Sequence, residues 1–115
     1  MPYNFEGNPI TVEHEPKLND GTLWVPLRSL ASAMGGSADW DPDNKVAIVY
    51  FSDKIVTLKI GDPNVDINGT PLRLQEAPYV EDGDTWVPVR FFSDGLRFSI
   101  DVDTVTKSVS IFTSA

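Results

Sequence analysis

Trp24, Trp40, Trp86 and Tyr79 could stack on sugar rings and so form a carbohydrate platform. Arg28 and Arg90 could hold a carboxylate or a phosphate as a pair. Asp39, Asp41 and Asp43, followed by Asn44, space oxygen donors like the opening of a calcium loop. Each group also has a plainer reading. Trp24 and Trp86 stand in β-rich stretches and read as core, whereas Trp40, beside a turn, reads as the exposed aromatic. The arginines could tie a helix to a hairpin through Asp39, Asp41, Asp101 or Asp103. The aspartate run fails as an EF-hand, because the positions that need Gly and a bidentate carboxylate hold Asn44 and Tyr50. Pro42 favours a hairpin turn there instead.

Other chemistry is poorly supplied. The single histidine, His14, cannot make a copper or zinc site alone, and there is no cysteine. His14 reads as a solvated loop residue. Disulfides and thiolate nucleophiles are excluded by the same count. No Gly-x-Ser-x-Gly occurs, and Gly35-Gly36 reads as a helix stop rather than a phosphate loop. Neither a catalytic residue nor a cofactor is therefore expected, and the chain reads as a non-enzyme.

The formal net charge of −8 argues against nucleic acid and against an anionic membrane surface, both of which attract basic patches. No apolar run reaches the roughly 20 residues that cross a bilayer. The start, Met1-Pro2-Tyr3-Asn4-Phe5-Glu6, lacks the basic region and apolar core of a signal peptide. If the natural protein is exported, this chain is expected to be a mature form or an excised piece.

The elements that must position these residues recur. Asp20-Gly21-Thr22-Leu23-Trp24-Val25-Pro26-Leu27-Arg28 returns as Asp82-Gly83-Asp84-Thr85-Trp86-Val87-Pro88-Val89-Arg90, an offset of about 62 residues. The same offset relates Gly7-Asn8-Pro9-Ile10 to Gly69-Thr70-Pro71-Leu72, Pro16 to Pro78, Asp39 to Asp101, Asp41 to Asp103 and Lys45 to Lys107. Each copy opens on a turn and a short strand, Ile10–Val12 or Leu72–Leu74. A β-rich stretch follows the Asp-Gly turn, and Pro26 or Pro88 then suits the first turn of a helix.

Leu27, Leu30, Ala31 and Met34 give the first helix one apolar face over about residues 27–34, and Val89, Phe92 and Leu96 do the same in the second copy. A hairpin follows each helix. A further hairpin at 53–67 links repeat 1 (about 5–51) to repeat 2 (about 67–113). The expectation is one α+β domain over 1–115, mostly antiparallel, with two short helices. The copies share one core under a pseudo-two-fold axis, because one repeat could not bury its helix alone.

Leu23-Trp24-Val25-Pro26-Leu27-Arg28 and Asp39-Trp40-Asp41-Pro42-Asp43-Asn44-Lys45 resemble the copper amine oxidase N-terminal (stalk) domain family. The second copy matches through Trp86-Val87-Pro88-Val89-Arg90 and Asp101-Val102-Asp103, departing at Val102, where Trp is usual, and in lacking Pro after Asp103. The resemblance implies a folding motif (Trp24, Pro26, Arg28, Asp41 and their partners Trp86, Pro88, Arg90, Asp103) and no catalytic residue. It further implies a structural or envelope-associated stalk or adhesion module of an exported bacterial protein, outside the cell or in its envelope.

Cell-wall polymer, neighbouring domains or a second copy are the expected partners. Edge strands such as Val109-Ser110-Ile111-Phe112 could join two copies. A glycan-binding module using Trp40 and Tyr79 is the alternative, with Arg28 and Arg90 as further ligand candidates. A small enzyme or metal-binding protein is the remote one.

Overall fold

A computed structural model describes residues 3–51 and 53–113. Met1 and Pro2, at the start read above as no export signal, lie outside the described residues, as do Ser52, Ser114 and Ala115.

The chain is built from short strands. β1 (Tyr3–Phe5) and β2 (Asn8–Ile10) form a hairpin; β3 (Lys17–Asn19) and β4 (Thr22–Pro26) form the next. Helix α1 (Leu27–Ala33) follows, then the hairpin of β5 (Ser37–Asp41) and β6 (Val46–Phe51). β7 (Lys54–Lys59), β8 (Asn64–Ile67) and β9 (Thr70–Arg73) form a meander. β10 (Tyr79–Glu81) and β11 (Asp84–Pro88) make a further hairpin, and a π-helical turn (Phe91–Gly95) leads to β12 (Ser99–Asp103) and β13 (Ser108–Phe112).

Among the described residues the strands make three sheets, in the orders β12-β13-β1-β2, β10-β11-β4-β3 and β5-β6-β7-β8-β9. The pairing is antiparallel except for β1 with β13, which run parallel. The class is α+β, mostly antiparallel, as expected.

Turn chemistry fixes much of this. Asp20-Gly21 and Asp82-Gly83 both hold positive φ at successive residues, as a two-residue hairpin turn requires, and so do Glu6-Gly7 and Asn68-Gly69. Lys45 and Lys107 are left-handed at matching hairpin ends. In the central sheet, β4 and β11 pair so that Val25 faces Val87, Trp24 faces Pro88 and Pro26 faces Trp86. A residue thus sits opposite its own counterpart at the sequence offset.

One face of that sheet supplies Leu23, Val25 and Val87 to a single apolar core. The core also holds Leu27, Leu30 and Ala31 of α1, Phe91 and Phe92 of the π-helical turn, and Val49, Val56, Leu58, Val109 and Ile111 from the outer sheets. Residues from both halves of the chain are buried together.

Three expectations are corrected. The second helix is a five-residue π-helical turn, closed by Leu96 N–H donating to the Phe91 carbonyl at 3.3 Å. Consecutive bulky aromatics explain the wider turn: Phe91 and Phe92 must both reach the core, and Phe92 also stacks on Phe98 at 6.4 Å. Val109–Phe112 is no free edge, because β13 is flanked by β12 and β1. The first strand of each copy also ends sooner than read, at Ile10 and Arg73, so Thr11, Val12 and Leu74 lie beyond it.

Candidate functional site

The chemistry-capable residues fall on two sides of the central sheet. Alternation along β10 sends Tyr79 to the outer face and Val80 to the inner one. On the outer face, Trp24 and Trp86 are buried under residues from the sheet's own edges. Tyr79 packs edge-on against Trp24, ring centroids 5.1 Å apart, and stacks near Trp86 at 6.4 Å. The Lys17 ammonium lies 4.3 Å from the Trp86 ring centroid and bonds Glu81 at 2.7 Å. That hydrogen bond holds the Lys17 pKa above its ordinary value.

The Trp86 indole donates to the Glu81 carbonyl at 3.0 Å, while the buried Trp24 indole N–H has no partner among the described residues. His14 is not the solvated residue expected. It is half-buried against Trp86, centroids 5.9 Å apart, with Nε2 enclosed and unpartnered. Its loop is drawn in by the buried Tyr3, whose hydroxyl donates to the His14 carbonyl at 2.9 Å. Burial raises the Tyr3 phenol pKa well above its ordinary value.

Beyond the sheet's inner side lies a cleft of about 400 Å³ lined by Arg28, Ala38, Trp40, Val49, Val80 and Thr85. Its rim carries large apolar surface: Trp40 is 42% and Val80 47% exposed. Asp39 and Asp84 add carboxylates to the lining. A second cleft of about 750 Å³ is lined by Arg90, Ile100, Val102, Gly21, Thr22 and Leu23 among others. These are the counterparts of Arg28, Ala38, Trp40, Gly83, Asp84 and Thr85 at the sequence offset. The second cleft thus holds Val102 where the first has Trp40.

Asp84 was not singled out by sequence reasoning, yet it organises the first cleft. It is 2% exposed. Its carboxylate accepts from the N–H groups of Arg28 (3.0 Å), Ser29 (3.4 Å) and Thr85 (2.9 Å), and from the Ser29 hydroxyl. It therefore caps the free N–H groups of α1 from the other half of the chain, where Pro26 can offer no side-chain cap. The signal was a departure inside the repeated block: Asp84 stands where the first copy has Thr22.

Arg28 is not tied through any of the aspartates expected. Its Nε and Nη2 donate to the Gly83 carbonyl at 3.3 and 2.8 Å. Pairing of β11 with β4, directly before α1, brings the Gly83 carbonyl of the tight Asp82-Gly83 turn within reach of the guanidinium. Arg28 and Arg90 line separate clefts, so they do not form one binding pair. Trp40 and Tyr79 are likewise on different surfaces.

The aspartates serve their own turns. Asp41 accepts from Asp43 N (3.0 Å), Asn44 N (3.3 Å) and Asn44 Nδ2 (2.9 Å), and the Asn44 side chain foremost holds its pKa below the usual carboxylate value. Asp103 accepts from the N–H groups of Val105 and Thr106, at 2.9 and 3.3 Å. Among the described residues no three His, Cys, Asp or Glu side chains converge as a metal site would require.

The sequence, with Trp-Val-Pro-Leu-Arg at 24–28 and Trp-Val-Pro-Val-Arg at 86–90, matches a known family over residues 4–111. The chain belongs to the copper amine oxidase N-terminal domain family. The name invokes copper, but one histidine and no cysteine do not fit a copper centre. A relative from Brevibacillus choshinensis, named a protease inhibitor, is 30% identical over 87 residues, covering 74% of this chain. The chain spans 27% of that relative's length. The family is thus that of an accessory domain rather than of a catalytic one.

Proposed function

We propose that this domain is a non-catalytic structural module, made of two copies of one repeat, in an exported, envelope-associated bacterial protein. One observation supports this above others: most of the motif residues are engaged by the fold itself, with Arg90, exposed, as the exception. Trp24 and Trp86 are buried, Arg28 holds a turn of the opposite half, and Asp41 and Asp103 cap hairpin turns. A motif used this way preserves a shape rather than a reaction. The pairing of Val25 with Val87 and the matched left-handed residues support a duplicated unit about a two-fold axis. The module would space, or contact, neighbouring domains and wall polymer, and its edge strands offer routes to self-association.

The test is twofold. The purified chain is assayed for amine oxidation and glycan hydrolysis, then co-sedimented with isolated cell wall. No turnover is expected, with or without added copper. Turnover that disappears on a single carboxylate substitution would overturn the proposal.

A second reading is favoured by the Trp40 cleft. An exposed indole beside Arg28 and Asp39 suits a sugar ring with polar substituents better than a bare spacer needs. Titration with soluble wall glycans checks this by tryptophan fluorescence. A saturable change lost in a folded Trp40→Ala variant supports sugar binding there; an unchanged spectrum discards it for the glycans tested.

A further inference from the structure

Among the described residues, one strand pair departs from the antiparallel rule, and it joins the two ends of the domain. β1 and β13 run parallel, with Tyr3 beside Val109, Asn4 beside Ser110 and Phe5 beside Ile111. The pair is reinforced at its far end. Glu6 N–H donates to the Ile111 carbonyl at 2.9 Å, and the Thr113 N–H and hydroxyl both donate to the Glu6 carboxylate. Tyr3, Val109 and Ile111 are buried, so the pair is also anchored by side chains. β2 flanks β1 and β12 flanks β13, so both are interior strands.

The other outer sheet shows that this pairing is not forced by the architecture. There β6 and β8, the counterparts of β13 and β1, are separated by β7, and every contact is antiparallel.

Parallel pairing places the chain's entry, at Tyr3, and its exit, after Ile111, at opposite ends of the pair. Tension drawn through the domain therefore pulls β1 and β13 past each other along their own axes. The hydrogen bonds then lie across the load and must yield together. Two strands whose loaded ends lie side by side instead open one bond at a time.

We propose that the β1·β13 pair is a shear clamp, which makes this domain a tension-bearing link rather than a passive spacer. The inference rests on the spacer reading and adds a mechanical role to it. The clamp resists rupture because forced unfolding is governed by the unfolding rate, and sliding gives that step a barrier that peeling lacks.

Single-molecule force spectroscopy on the full chain tests this. One molecule carries handles at both termini. The other carries one at the C-terminus and one on Asn8→Cys, an exposed site in a chain with no other cysteine. The second geometry pulls on β13 and on the start of β2, where the chain turns back from the end of β1 that lies beside Ile111, so the β1·β13 pair is peeled from that end instead of sheared. At equal loading rate, rupture through the termini is expected at a several-fold higher force. Glu6→Ala, which leaves the β-pairing intact, is expected to lower the terminal rupture force. Equal forces in the two geometries, or a lower one through the termini, would overturn the clamp. That result would leave the non-catalytic reading untouched, since the turnover and sedimentation assays decide it separately.

Discussion

At positions 62 residues apart in the sequence, the two halves of the chain are filled differently. In the first half, α1 closes with Gly36 N–H donating to the Ala31 carbonyl at 2.8 Å. The counterpart of Gly36 is Phe98, which stacks on Phe92 and meets Phe51 edge-on at 6.1 Å. One half thus brings backbone close to backbone, whereas the other fills the same region with aromatic rings and loosens its helix to a π-helical turn. The polar partners differ too. Asp84 caps α1, while its counterpart Thr22 stands at the second cleft. Trp86 has a carbonyl acceptor and Trp24 has none among the described residues. A common frame, set by turns and strand register, tolerates different fillings; the stability of each half should therefore rest on different residues.

The sharpest break in that symmetry is predicted at Gly36. A Cβ there would sit 2.2 Å from the Tyr50 carbonyl oxygen, so Gly36→Ala should cost about 3 kcal/mol or more by urea unfolding. At Gly95 the two tight neighbours of a Cβ are side-chain methyls, Ile67 Cδ1 at 2.7 Å and Leu72 Cδ2 at 3.1 Å, with Phe91 Cδ1 at an ordinary 3.6 Å. Gly95→Ala should cost about half as much, because methyls give way where a carbonyl cannot.

Next comes the cap. Asp84→Ala leaves the N–H groups of Arg28, Ser29 and Thr85 without their acceptor and should destabilise by about 2–4 kcal/mol. Thr22→Ala at the matching position should cost less than about 1 kcal/mol. Equal losses would mean that the halves are capped alike.

A smaller contrast lies on the outer face. Trp86→Phe loses a hydrogen bond to the Glu81 carbonyl, whereas Trp24→Phe removes a buried N–H that has no acceptor among the described residues. The first should be the more costly by about 1 kcal/mol in the same unfolding assay.

The smallest effect concerns pH. The Asn44 side chain lowers the pKa of Asp41 in the folded chain. This group's stabilisation is therefore present above the unfolded carboxylate pKa and is lost as pH falls through the lower folded one. An NMR titration should find Asp41 below its ordinary value, and Asn44→Ala should return it toward that value.

Much of this frame was legible in the residues. Asp-Gly turns, Pro at the head of α1 and the apolar spacing of Leu27, Leu30 and Ala31 act locally, so they can be read locally. The linking hairpin over β7 and β8 followed from its turn in the same way. What escaped depends on contacts between distant segments. That Asp84 caps α1, that Arg28 reaches the Gly83 carbonyl and that β1 lies along β13 each join residues more than 50 positions apart. His14 was misread because a loop position suggests solvent, while burial of Tyr3 draws its backbone inward. The π-helical turn escaped because spacing alone does not weigh the volume of adjacent phenylalanines. Of the site candidates, the exposure of Trp40 was read from the turn beside it; the separation of Trp40 from Tyr79 required knowing which face each strand presents.

The central claim is that both halves fold as one unit around a shared core, with the motif residues serving that packing. Urea unfolding followed simultaneously by tryptophan fluorescence and far-UV circular dichroism tests it most directly. A single shared core predicts one transition with coincident midpoints from both probes. Two separated midpoints, with one half melting while the other persists, would contradict it.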